Sequence, residues 1–276
     1  MEISDITKVI PEKHIIVFSP HFDDSVLGLG GYMLELKKKN MLDTKDFRIL
    51  INFSRSNYIA GSGDGNRDTS LDRVKYATGK RVMEDMGCID EILGYLNYTY
   101  QLIGEKECFT RGKAMADSEM EFPHGMYDDF DEEDKEIFER SKSRIRKMAF
   151  LEDTALVFPI GYMEHIDHFI LREAAITVAG ESGSKARSAF YFMEDKPYAG
   201  ISDEDEIARI DDFIKNNGLA GLVYESNPEA LIKLVYKHYL SQVEDVYEKG
   251  IRQRSDFLRN LYKLDEPCER LFRLKF

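Results

Sequence analysis

The 276 residues include only three cysteines, Cys88, Cys108 and Cys268, an odd number with no CxxC or similar spacing. That shortage excludes a disulfide-stapled scaffold and a cysteine-based zinc ribbon, and it fits a reduced compartment, with all three read as packing residues. Long apolar runs are also missing, and nothing approaches the roughly 20 residues of a membrane span. The first such run, Ile15 to Phe18, is too short for the core of a secretory signal, and acids stand where a signal needs bases. The expected address is the cytoplasm. Positive charge is the third shortage. Lys and Arg number 38 against 51 Asp and Glu, a net charge of −13, and a surface that negative repels phosphate backbones and anionic lipid. Neither nucleic acid nor a membrane surface is an expected partner, and the sequence says nothing of oligomeric state.

At 43% hydrophobic and 32% charged residues the chain is globular, and at this length one core can bury roughly 75% of the unfolded surface without staples. HIIVFS (14–19) is short, β-branched and bounded by Pro20, which predicts a buried strand. A helical pattern opens at Asp23 or Asp24 and runs to about Lys39, and FRILINF (47–53) is a second strand. Apolar strands without alternation, separated by a helix, predict a parallel sheet covered on both faces. The glycine-rich segment 54–70 has no periodicity and is expected to border a site.

Further along, a helix is predicted from Leu71 to Met86 and a short strand from Glu91 to Leu96. The stretch 104–126 is irregular. Acid from Tyr127 to Glu136 followed by base ending at Lys147 suits a solvated helix along its dipole. TALVFP (154–159) is a strand, His165 to Val178 a helix and SAFYFME (188–194) a strand. From about 202 to 276 the pattern is helical, with Asn227 as N-cap, Pro228 at the first helical position and Gly250 closing the far end. No repeat or linker divides the chain, so 1–276 reads as one α/β domain with a Rossmann-like, mostly parallel sheet, helices on both faces and a helical C-terminal part.

Histidines beside aspartates directly after predicted strands carry the chemistry. Pro20-His21-Phe22-Asp23-Asp24 follows the first strand, and Glu164-His165-Ile166-Asp167-His168 follows TALVFP. In open α/β sheets the carboxyl ends of strands form the ligand crevice, so both clusters face one cleft. Imidazole and carboxylate suit zinc, and catalytic zinc keeps three protein ligands and one open position. His21 and Asp24, three apart on a tight turn, can converge while Asp23 points elsewhere, free to accept a proton. Either His165 or His168 can complete a His, Asp, His set, and Asp167 would orient an imidazole and favour its protonated form. The plainer alternatives are that Asp23 and Asp24 cap the helix and that the second cluster lies on the surface by accident; two such clusters, each after a buried strand, weigh against both. Gly28, Gly30 and Gly31 fall too far into the helix for a dinucleotide fingerprint and read as close helix-to-sheet packing. GxxxxGK[ST] and GxSxG are absent, which leaves phosphoryl transfer and serine hydrolysis without a motif.

SPHFDDSVLGLGG and FPIGYMEHIDHFILREAA together resemble the PIG-L/LmbE-like family of zinc-dependent N-acetylglucosaminyl deacetylases, with its His-x-Asp-Asp and His-x-Asp-His boxes. LGYLNYTY (93–100), FYFMEDKPYA (190–199), YLSQVEDVY (239–247) and the terminal ERLFRLK extend the similarity. The resemblance implies a Rossmann-like fold and a zinc ion, or another divalent metal, held by His21, Asp24 and His168. It implies that Asp23 is the general base and His165 the partly protonated group assisting the oxyanion or leaving amine, with Asp167 bonded to it. Arg55, Lys75, Asn97 and Tyr162 are the candidate substrate contacts, Lys75 standing in the helix slot of a sugar-binding arginine. Ser25 replaces a common Glu, and Asn97 and Gln101 replace an Asp and an Arg. The implied activity is removal of an N-acyl group, acetyl above all, from an amino sugar or glycoconjugate. The alternatives are a carbohydrate-binding protein of the same fold without turnover and, weaker, a nucleotide-binding Rossmann protein without metal.

Overall fold

The computed structural model describes residues 3–62, 66–95, 97–113 and 130–275. Its strands are β1 (His14–Ser19), β2 (Asp46–Ile51), β3 (Thr99–Leu102), β4 (Thr154–Pro159), β5 (Ala189–Met193), β6 (Leu219–Glu225) and β7 (Cys268–Leu274). Around them stand α1 (Ile6–Val9), α2 (Asp24–Lys38), α3 (Leu71–Leu93), α4 (Glu132–Met148), α5 (Ile166–Ser182), α6 (Tyr198–Ile201), α7 (Glu204–Asn216), α8 (Pro228–His238) and α9 (Asp245–Tyr262). Among the described residues the strands form one sheet in the order β3-β2-β1-β4-β5-β7-β6. All pairings from β3 to β5 are parallel, and β7 runs antiparallel to both β5 and β6.

Successive side chains of one strand enter different cores, which explains the unbroken apolar runs. Ile15 and Val17 of β1 bury against α2, α3 and α8 with Leu29, Ile89 and Leu231. Ile16 and Phe18 bury on the other face against α4 and α5 with Ile145 and Ile170. Full burial of each such side chain contributes about 1.5–3 kcal/mol. The chain leaves β1 toward β2 and β3, then returns to lay β4 on the other side of β1. That reversal opens a crevice at the carboxyl ends of β1 and β4, where ligands bind in sheets of this kind.

The mostly parallel sheet with helices on both faces is the architecture expected from the strand pattern. Several local expectations fail. No strand occupies Glu91 to Leu93; α3 runs on past Met86 to Leu93, because Cys88, Ile89, Ile92 and Leu93 continue the buried stripe begun at Ala77. The strand comes later, as β3, and Leu96 lies outside the described residues. The part after 202 is helical as expected in α7, α8 and α9, but it also contributes β6 and β7, which complete the sheet. Asn227 does cap α8, its side chain accepting from Ala230 N–H, with Pro228 in the first turn. Gly250 caps nothing: it lies inside α9, where the added Cβ of any other residue would lie 2.4 Å from the Pro197 carbonyl oxygen. Gly28, Gly30 and Gly31 do serve packing, facing Met193, Leu231 and Glu269. The acid-to-base helix is α4, opened by Asp131 in a capping box with Asp134; residues 114–129, which hold His124 and much of the irregular stretch, lie outside the described residues. All three cysteines are free and buried. Among the described residues no helix is long and apolar enough to cross a membrane.

Candidate metal centre

His21 sits on the turn leaving β1, its backbone carbonyl accepting from Ser19 Oγ at 2.7 Å. Its own N–H donates to Asp24 Oδ2 at 2.8 Å, so the turn folds the first residue of α2 back over the histidine. The same Asp24 oxygen lies 3.2 Å from His21 Nδ1 and 3.3 Å from His168 Nε2. The two boxes therefore meet: His21, Asp24 and His168 are buried, with one donor atom from each within 4.8 Å of the others.

Each histidine is fixed from behind. His21 Nε2 lies 3.0 Å from Asp167 Oδ2, and His168 Nδ1 lies 2.7 Å from Asp195 Oδ1. A carboxylate on the far nitrogen fixes the ring and raises the basicity of the near one, the arrangement typical of histidines that hold a metal. His21, His165 and Asp167 form a second group of suitable spacing. There, however, Asp167 already accepts from Arg111 Nη2 at 2.7 Å and from Cys108 N–H at 3.0 Å. That carboxylate is neutralised by a buried guanidinium, so the Asp24-centred group fits a divalent cation better. Burial alone would lower the His21 pKa, but the bonds to Asp167 and Asp24 hold it raised, to about 9. Burial opposes the ionised form of Asp24 as well, yet His168 and His21 keep it well below the usual carboxylate range. The carboxylates thus call for positive charge at the centre, and a divalent cation on these atoms would displace the imidazole protons.

Asp23 occupies the N-cap position of α2 and makes no capping bond with its side chain. Its Oδ1 faces Arg81 Nη2 at 3.6 Å. Burial and the Asp24 charge raise its pKa, against the pull of Arg81. Arg81 Nη1 also donates to Ser56 Oγ at 2.9 Å and meets Glu107 Oε2 at 3.2 Å.

His165 caps the start of α5. Its Nδ1 accepts from the Asp167 N–H at 3.2 Å, which places the ring proton on Nε2. Its ring centre lies 5.0 Å from that of His21 and 5.1 Å from that of His168. Burial first and the charge of His21 second push its pKa well below the ordinary value. Here the structure departs from the sequence expectation of a partly protonated His165 bonded to the Asp167 carboxylate. That carboxylate is spent on His21 and Arg111, and His165 is a neutral donor.

The turn before His165 is clamped. Gly161 and Met163 both have left-handed backbones, with φ of 80° and 60°. A non-glycine residue there costs about 1–2 kcal/mol, whereas an N–H given to a charged acceptor contributes about 1.5–3 kcal/mol. Three such bonds exist: Gly161 and Tyr162 N–H donate to Asp195 Oδ2 at 2.6 and 2.9 Å, and Met163 N–H to Glu206 Oε1 at 2.5 Å.

A cavity of about 90 Å³ opens onto His21, Asp23, Asp24, His165 and His168, walled by Tyr58, Arg81, Phe109, Tyr198 and Tyr247. The expected substrate contacts are not among the residues lining it. Arg55 and Lys75 are exposed and do not line it. Asn97 stands before β3, at the far end of the sheet, and bonds the Leu93 carbonyl at 3.3 Å. Tyr162 is buried beneath, its hydroxyl accepting from Arg254 Nη2 at 2.8 Å. Sequence reading missed Arg81, Glu107, Arg111, Asp195 and Glu206. Two of them left a signal: Arg81 interrupts the apolar stripe of α3, and Asp195 follows the run AFYFM at the carboxyl end of β5.

No family model matches the sequence, and no curated protein matches it. Solved structures do resemble it in fold. The zinc-inhibited form of teicoplanin deacetylase Orf2 superposes with a TM-score of 0.63 at 16% identity, over 95% of this chain and 98% of that one. N,N'-diacetylchitobiose deacetylase from Pyrococcus horikoshii gives 0.57 at 13% identity, over 98% and 87%. The deacetylase of the antimicrobial A40926 pseudoaglycone, Dbv21, gives 0.55 at 16%, over 95% and 97%. At such identities the likeness establishes the fold: the chain shares its α/β architecture with these deacetylases along nearly its whole length.

Proposed function

We propose that the protein is a metal-dependent amide hydrolase that removes an N-acyl group, acetyl above all, from an amino sugar or glycoconjugate. One observation carries the reading: a single oxygen of Asp24 stands between His21 and His168, each backed by its own carboxylate, with the unligated Asp23 alongside. The fold neighbours support the reaction class, since the solved proteins named above are deacetylases of teicoplanin, of the A40926 pseudoaglycone and of N,N'-diacetylchitobiose.

His21, Asp24 and His168 would hold the cation, zinc by the chemistry of the donor set. When bound, the ion supplies Lewis acidity, which lets water ionise near neutral pH and polarises a carbonyl. Asp23 accepts the proton of the attacking water, its carboxylate kept in place by Arg81. His165 lines the cavity, its Nε2 lying 3.9 Å from Cys108 Sγ, and that N–H would be given to the oxygen that gains charge, as a neutral hydrogen-bond donor. The leaving nitrogen then takes up the proton that Asp23 accepted. The small cavity suits a short acyl group. A binding protein without turnover is the weaker reading, because two of the replacements behind it, Asn97 and Gln101, lie off the cavity; Gln101 bonds Arg48 on β2.

The test is elemental analysis of purified protein together with a screen of N-acetylated amino sugars and glycoconjugates for free amine. Stoichiometric metal and metal-dependent amine release are expected. Metal that persists in a His21→Ala, His168→Ala double variant would defeat the site assignment, and full metal loading with no release from any substrate would defeat the activity.

A further inference from the structure

We infer that Glu206, on α7 and outside the cavity, is a positioning residue for His165. The left-handed Met163 lies two positions before His165, and its N–H has Glu206 Oε1 as acceptor at 2.5 Å. Glu206 is buried, is also paired with Arg209, and stands in the first turn of α7, which Asp203 caps. It is therefore a fixed acceptor and not a surface carboxylate that happens to reach the turn.

Asp195 holds the preceding two amides and His168, so the turn from 161 to 163 hangs between two carboxylates. On the other side Arg172 donates to the Ile160 carbonyl at 3.2 Å, its guanidinium set between Phe169 and Phe213 of α7. Without Glu206 the methionine has no reason to stay left-handed, because a side chain makes that region unfavourable and only glycine occupies it freely. Relaxation of Met163 would swing His165, whose Nδ1 must face the Asp167 N–H to keep the proton on Nε2. Glu206 is not among the residues lining the cavity; it acts through Met163.

The kinetic arm of the test rests on the hydrolase reading, and the spectroscopic arm does not. Wild type, Glu206→Ala, Glu206→Gln, Met163→Val and the double variant Glu206→Ala, Met163→Gly are compared by ¹⁵N-histidine NMR of the rings, by bound metal, and by kcat and KM. In wild type the His165 ring should show a single form with Nε2 protonated. Glu206→Ala should lose that form and, since a misplacement of about 1 Å costs about 10²-fold, lose kcat on that order with KM and metal unchanged. Glu206→Gln keeps an acceptor and should keep both properties. In the double variant glycine adopts the left-handed backbone unaided and should recover them. Met163→Val attacks the turn with Glu206 intact and should reproduce the loss, which settles the matter if Glu206→Ala does not fold. A wild-type ring pattern in Glu206→Ala or Met163→Val overturns the inference. An inactive wild type whose ring pattern still depends on Glu206 overturns the activity alone.

Discussion

The Nδ1 of His168 lies 2.7 Å from Oδ1 of Asp195, whose other oxygen takes the N–H groups of Gly161 and Tyr162. One carboxylate thus orients an imidazole of the proposed metal site and anchors the turn that precedes His165. Loss of such an outer partner typically weakens metal binding about 10- to 100-fold. Asp195→Ala is expected to fall in that range when zinc affinity is read by competition with a chelator. Asp195→Asn should lose less, since its side-chain oxygen still accepts from one or both amides.

Asp23 and Asp24 are neighbours in sequence with different surroundings, and their substitutions should separate. Asp24 meets both histidines, whereas Asp23 faces Arg81. Asp23→Asn should retain bound metal while turnover falls about 10²- to 10⁴-fold, the usual contribution of a positioned proton acceptor. Asp24→Asn should lose metal first. Elemental analysis beside kcat distinguishes them, and an Asp23→Asn protein that turns over normally removes that residue from the reaction.

How much of this was legible in the sequence depends on how local each relationship is. His21 and Asp24 close one turn, and His168 opens a helix directly after a buried strand, so short motifs carried them. The sheet was legible because strands buried on both faces leave unbroken apolar runs. The partners that tune the site come from far along the chain: Asp195 reaches His168, Arg111 reaches Asp167, and Glu206 reaches Met163 only once the strand order is set. Lys75 and Arg81 show the difference within one helix. Counting along α3 led to the exposed lysine, whereas the buried stripe carries the arginine into the cavity wall. The misplaced third strand has the same origin, because the stretch from Glu91 is short and apolar enough for either state, and the helical state of Glu91 to Leu93 depends on burying Ile92 and Leu93 in a core built from distant parts of the chain.

Glu194 makes the fold sensitive to acid. It is buried and accepts from Arg254 Nη2 at 2.5 Å and Arg270 Nη2 at 2.7 Å, joining β5, α9 and β7. Burial opposes its ionised form, but the two guanidinium groups outweigh that and lower its pKa from 4.5 to about 2. A depressed folded-state pKa stabilises the protein fully above the unfolded value and ceases to do so as pH falls through the folded one. The contribution should therefore disappear between about pH 4.5 and about pH 2. Urea midpoints of Glu194→Gln should be low at neutral pH, since removing one partner of a buried pair costs about 3–5 kcal/mol, and should change less than those of wild type across that acid window. Parallel pH profiles for the two proteins would contradict this account.

Two glycines predict opposite outcomes for one substitution. At Gly250 an added Cβ would lie 2.4 Å from the carbonyl oxygen and 2.6 Å from the Cβ of Pro197, and one added at Gly200 would lie 1.8 Å from the Gly250 carbonyl oxygen. Backbone cannot move aside as a flexible side chain can, so Gly250→Ala must push α9 from α6, at an overpacking cost of about 1–3 kcal/mol. Pro197 and Tyr198 on one side and Val246 and Tyr247 on the other line the cavity. The displacement should therefore raise KM while bound metal is unchanged. At Gly79, inside α3, an added Cβ meets nothing within 4 Å. Gly79→Ala should instead stabilise by about 0.4–1 kcal/mol by restricting the unfolded chain. Thermal midpoints should move down for the first and up for the second, and a Gly250→Ala protein with unchanged stability and KM would show that the contact between α6 and α9 does not shape the cavity.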